Sequence, residues 1–229
     1  MKPSPRKVLC LVASTGLALT ACSTVGASAP APAATATAPA AKAPAGSAPS
    51  DHGPSRLAVG RAGPGTYPAG PCHYRAGTAG TPFAAQALPD HACTPGALNP
   101  AVTQADIGNT ICSGGWTSTV RPPESYTERL KRVSLTVYGQ SGRLGAYEFD
   151  HLVPLELGGA PWDPRNLWPE PDNHPSSYYL NSKDEVEDQL KRAVCDHRVT
   201  LARAQRAIAT NWETAEATLA VKPKKPSME

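Results

Sequence analysis

The stretch Glu148-Phe149-Asp150-His151-Leu152-Val153-Pro154-Leu155-Glu156-Leu157-Gly158-Gly159, resumed at Asn166-Leu167-Trp168-Pro169, decides how this chain is read. Residues 146–156 read as two short strands pivoting around Asp150-His151, with Gly158-Gly159 making the turn. Asp150 and His151 are adjacent, so on a regular strand their side chains face opposite ways. A turn or bulge there would bring both to one cleft. A carboxylate holds a hard cation, and a neutral imidazole takes a proton from water near pH 7. With one more ligand from a following helix, these are the parts of metal-assisted hydrolysis.

Outward from this stretch the periodicity is helical. Pro122-Pro123 precedes Glu124-Ser125-Tyr126, and Leu130, Val133 and Val137 follow at helical spacing, which predicts a helix ending near Gly139. A second helix is predicted over residues 177–195, with Val186, Leu190 and Val194 at i, i+4 and i+8. A third starts after Thr200 as N-cap and sets Leu201, Ala204, Ile208 and Trp212 on one face. Both stripes read as core packing. The segment before Trp116 is rich in Gly and Pro, with a short helix predicted from Asn99-Pro100 through Ile107. The fold class expected is α+β.

The chain has 229 residues, 25 of them Pro, and only 6% aromatics, so part of it is expected never to pack. Lys2, Arg6 and Lys7 form a basic start, and residues 8–19 form an apolar run too short for a comfortable membrane span. The run ends in Leu19-Thr20-Ala21-Cys22, which resembles a bacterial lipobox and predicts diacylglyceryl attachment at Cys22. An ordinary signal peptide with a coincidental Cys is the alternative. Residues 23–55, nearly all Ala, Pro, Ser, Thr and Gly, read as a disordered tether. The formal charge of +3 rests on the three basic residues of the leader. Without them 19 basic residues face 19 acidic ones. A neutral mature chain has no long-range field drawing it onto DNA, so any basic footprint is local.

Export implies an oxidising compartment. Cys72, Cys93, Cys112 and Cys195 then suggest two disulfides, with three possible pairings. Cys72–Cys93 would staple the loop-rich third, and Cys112–Cys195 would tie the segment before the site to the end of the helix after it. No CxxC spacing supports the rival zinc reading.

Asp-His with Pro three residues on, Gly-Gly, and Asn-Leu after a short loop resembles the HNH endonuclease family, with its ββα-metal fold, over residues 111–212. Ile111-Cys112-Ser113-Gly114-Gly115-Trp116, Val120-Arg121-Pro122-Pro123 and Leu190-Lys191-Arg192-Ala193-Val194-Cys195 are similar to exported bacterial members. The resemblance implies roles. Asp150 is a metal ligand, His151 the general base, and Asn166 orients the loop and the His ring. Asn181 is the matching ligand on the following helix, where the family more commonly has His. An Asp/Asn pair is an oxygen site that favours Mg²⁺ or Mn²⁺. His174 entering the shell would suit Zn²⁺ or Ni²⁺ instead, and Asp184 lies one turn from Asn181. The implied reaction is hydrolysis of DNA phosphodiesters to 5′-phosphate and 3′-hydroxyl ends.

The organisation expected is a lipoprotein signal peptide over 1–22, a disordered linker over 23–55, a loop-rich, disulfide-stapled part over 56–110, an HNH nuclease domain with flanking helices over 111–220, and a flexible basic tail over 221–229. The partners expected are DNA and, through the lipid anchor, the outer face of the cell membrane, with the chain monomeric. Arg121 and Lys183 are candidate phosphate contacts, although Lys183 also suits an i+4 pair with Glu187. The other basic residues before and after the site read as solvated helix faces, and Glu156 as structural. The competing reading is a surface lipoprotein that uses the same scaffold for binding, without turnover.

Overall fold

Proline and glycine keep residues 57–115 from building long strands, because proline brings no N–H to a ladder and glycine no side chain to pack. The computed structural model describes residues 57–174 and 179–222. The expected leader, the expected lipidation at Cys22, the expected linker and the expected tail from residue 223 onward fall outside the described residues. Four two-residue strands appear first: β1 (Ala58–Val59), β2 (Arg75–Ala76), β3 (Ala87–Leu88) and β4 (Ala97–Leu98). β1 pairs with β4 in parallel, and β2 with β3 antiparallel.

The helix predicted from Pro100 is instead a 3₁₀ segment, Gln104–Asn109. Asn99 Oδ1 accepts the Ala101 N–H at 3.0 Å, and the Asn99 carbonyl accepts the Val102 N–H. These local bonds hold Pro100 in a turn. A short helix not anticipated from the sequence, α1 (Trp116–Val120), precedes α2 (Glu124–Val137). α2 starts behind Pro122-Pro123 as expected. Its buried face runs through Tyr126, Leu130 and Leu135, while Val133 faces solvent.

The central hairpin pairs β5 (Tyr147–His151) with β6 (Leu167–Pro171), antiparallel, with Glu148 opposite Glu170 and His151 opposite Leu167. The second strand expected before residue 156 is absent from that place. Pro154 has no N–H, the Leu152 and Val153 N–H groups bond to Asn166, and Leu155–Leu157 winds into a 3₁₀ turn. Gly158 leaves that turn at φ +73°, where a Cβ would be strained. A Cβ on Gly159 would sit 1.7 Å from the Val153 carbonyl oxygen, so the close return of the chain requires glycine there.

Three helices follow among the described residues: α3 (Ser182–Cys195), α4 (Leu201–Thr210) and α5 (Trp212–Leu219). The last predicted helix is thus two. Asn211 is extended, and its Oδ1 accepts the Glu213 N–H at 3.0 Å, ending one helix and capping the next. The predicted stripes are the buried ones: Val186, Leu190 and Val194 on α3 meet Leu201, Ala204, Ile208 and Trp212 in one core. A second core, under α2 and the hairpin, gathers Tyr67, Tyr126, Leu130, Leu152, Leu167 and Trp168. Val221, expected in the tail, is buried in the first core.

Cys72 is bonded to Cys93 and Cys112 to Cys195, the pairing that staples the loop-rich part and ties the segment before the site to the following helix. The second bridge fixes the C-terminus of α3 to the segment just before α1. The architecture is a mixture of helices and small sheets. Among the described residues, no helix is long and apolar enough to cross a membrane.

Candidate functional site

Strand alternation divides β5 between two environments. Phe149 lies on one side, 6.3 Å from the ring of Tyr67. Glu148 and Asp150 point the other way, toward the first turns of α3, and Glu170 stands across the ladder from Glu148. Lys183 and Glu187, one turn apart on α3, close this space.

Lys183 is wholly buried. Its Nζ donates to Asp150 Oδ2 at 2.6 Å, to the His151 carbonyl oxygen at 2.9 Å, and to Glu187 Oε1. An ammonium has three hydrogens, and all three are used. Lys183 therefore has no donor left for a phosphate, and of its two expected roles only the i+4 pairing with Glu187 is realised. Burial alone would push its pKa down, but the charges of Asp150, Glu187 and Glu170 outweigh burial and hold it well above the usual lysine value.

The acids around it divide. Burial opposes the charge on Asp150. The Lys183 ammonium, with a hydrogen bond from Glu170, wins and keeps Asp150 below the ordinary carboxylate range. Glu148 is pushed up to about 7 by burial and by the nearby Asp150 and Asp184 charges. Glu170 and Glu187 are raised well above their usual value, by burial first and then by Asp150, against the pull of Lys183. One lysine cation thus faces one firmly ionised carboxylate, and the other acids are driven toward their neutral forms.

Asn181 is buried as the N-cap of α3, and its backbone N–H donates to Asp184 Oδ2 at 2.9 Å. Its side-chain oxygen accepts the Asn173 N–H at 3.2 Å, and its Nδ2 donates to Glu148 Oε2 at 3.0 Å. A divalent ion held by Asp150 and Asn181 would need Asp150 freed from Lys183 and Asn181 Oδ1 freed from Asn173. The residues as arranged do not fit such an ion. Among the described residues, no three of His, Cys, Asp and Glu are grouped to hold a metal. Asp184 serves the cap, and His174 is exposed at φ +46° next to Asp172.

His151 faces away from Asp150, into the loop after the hairpin strand. Its Nε2 donates to the Pro161 carbonyl oxygen at 3.1 Å, because a carbonyl only accepts. That fixes the tautomer and leaves Nδ1 as the bare acceptor. Burial is the main reason its pKa falls to about 4. Asp150 and the Pro161 bond oppose the fall, while the charges of Arg121 and Lys183 add to it. Arg121, at the exposed C-terminal end of α1, therefore lies within electrostatic reach of the ring.

Asn166 is fully buried and uses its whole amide. Oδ1 accepts the Val153 N–H at 2.9 Å and the Ala97 N–H at 3.3 Å, while Nδ2 donates to the Val153 carbonyl at 2.9 Å and the Ala160 carbonyl at 3.2 Å. It ties the loop that carries Pro161, and so positions the His151 ring at one remove. The expected orienting of the loop is present, though no bond from Asn166 to the ring is among its contacts.

Sequence reasoning missed Glu148 and Glu170, and it reached Glu187 only as the i+4 partner of Lys183. Glu148 stands two residues before Asp150, on the same strand face, which was a usable signal. Glu170 had none without the strand register. Glu156, read as structural, pairs with Lys191 at 3.9 Å. Comparison of the chain with protein-family models, with curated proteins and with solved structures yields no match.

Proposed function

We propose that this chain is a nuclease, hydrolysing phosphodiester bonds of extracellular DNA with His151 as general base. The observation that carries the reading is the state of the His151 ring. It is neutral, its Nε2–H is bonded to the Pro161 carbonyl, and Nδ1 is left as the acceptor atom that would take a proton from water. The β5–β6 hairpin, with the first turns of α3 against it, supports the ββα arrangement that the resemblance to HNH endonucleases implies. Asn166 is a positioning residue that holds the loop under the ring. Arg121, exposed and near the ring, is the phosphate contact. The resemblance implies Mg²⁺ or Mn²⁺. Since Asp150 and Asn181 are engaged elsewhere, no step here runs through a metal. In the cell the enzyme would stand outside the membrane, tethered through Cys22.

One specific observation favours the second reading, a binding scaffold without turnover: His151 is only 5% exposed. Incubating the disulfide-bonded chain with supercoiled and linear DNA in Mg²⁺, Mn²⁺, Zn²⁺, Ni²⁺ or EDTA separates the two. Strand cleavage is expected. DNA retained intact on the protein under every condition would establish the scaffold reading instead.

A further inference from the structure

We propose that the Lys183 ammonium is the resident cation of the acidic centre, standing where a divalent ion would join β5 to α3, so that the centre binds no metal. Asp150 on β5 and Glu187 on α3 converge on one point, and that point is occupied by Nζ. Three features make the occupation firm. The lysine side chain is wholly buried, so no solvent competes for its charge. Its third hydrogen goes to the His151 carbonyl, so the ammonium is held by backbone as well as by carboxylates. Each of the two carboxylates that converge here, Asp150 and Glu187, already gives an oxygen to it. A divalent ion arriving here would have to displace a buried ammonium from all three of its acceptors.

The same contacts give Lys183 a task that metals perform elsewhere. It joins the hairpin strand that bears His151 to the helix packed over it, through the carbonyl of His151 itself. It is a positioning residue and does not touch substrate.

The inference holds whether or not the chain cleaves DNA, because its readout needs no substrate. Mn²⁺ is titrated into the folded full chain, and the His151 ring resonances are followed by NMR. Selective broadening of those resonances at stoichiometric Mn²⁺ would overturn the proposal, since it would place a metal at the centre. Unchanged resonances are expected. The complementary variant is Lys183→Ser, which removes the ammonium and leaves its space. It is expected to bind Mn²⁺ at least tenfold more tightly than wild type, with the gain abolished by adding Asp150→Asn. A folded Lys183→Ser protein that gains no Mn²⁺ affinity would also overturn it. If that variant does not fold, the wild-type titration decides alone.

Discussion

Lys183 Nζ lies 2.6 Å from Asp150 Oδ2 in a fully buried ion pair across 33 residues of sequence. The contact joins a strand to a helix and keeps ionised an acid that burial alone would drive toward its neutral form. Breaking such a pair from one side leaves the other charge unpaired. Lys183→Met is therefore expected to cost about 3–5 kcal/mol in urea unfolding. Adding Asp150→Asn should recover part of that loss. A double variant no more stable than Lys183→Met would mean that the pair is not the source of the cost.

Asn166 satisfies four backbone groups around the loop. Removing its amide leaves several buried donors and acceptors without partners, at about 1–3 kcal/mol each. Asn166→Ala should destabilise the chain by about 3 kcal/mol or more in denaturant unfolding. It should also lower any DNA cleavage more than the stability loss explains, because the Pro161 carbonyl loses its fixed place. A loss below about 1 kcal/mol would mean that the loop holds without it.

Glu156 has its pKa raised to about 7, by burial first and by Asp188 next, with Lys191 opposing. Its folded value is above the unfolded one, so the native state binds the extra proton in between. The associated stability is present below pH 4.5 and is lost as pH rises through about 7. Glu156→Gln should remove this loss. Melting temperatures between pH 5 and 8 should fall more steeply for wild type than for the variant, and parallel curves would count against the assignment.

Arg121 is expected to act on substrate through charge. Arg121→Ala should weaken DNA binding across sequences and reduce the salt dependence by about one phosphate contact. Binding curves at several salt concentrations test this, and an unchanged slope would remove Arg121 from the interface.

Much of the framework was legible because it is periodic or local. Val186, Leu190 and Val194 announce one buried helix face, Pro122-Pro123 marks a helix start, and four spaced cysteines restrict the bridges to three pairings. The helix break at Asn211 was not legible, since its side chain could equally have faced solvent. The site divided in the same way. Asn166 ties a loop, as its position suggested. The resemblance makes Asn181 a metal ligand, yet Asp184 three residues on is a capping pattern, and the cap is what forms. The Asp150–Lys183 contact was hidden because it depends on which face of β5 meets which turn of α3, and spacing along the chain does not carry that information.

In the proposed mechanism His151 takes the proton from the attacking water. Its most direct test compares initial cleavage rates of supercoiled plasmid by wild type and His151→Ala, both verified as folded with both disulfides formed. Cleavage by wild type and a loss of about 10²–10⁴-fold in the variant are expected. Equal rates from the two proteins would contradict it.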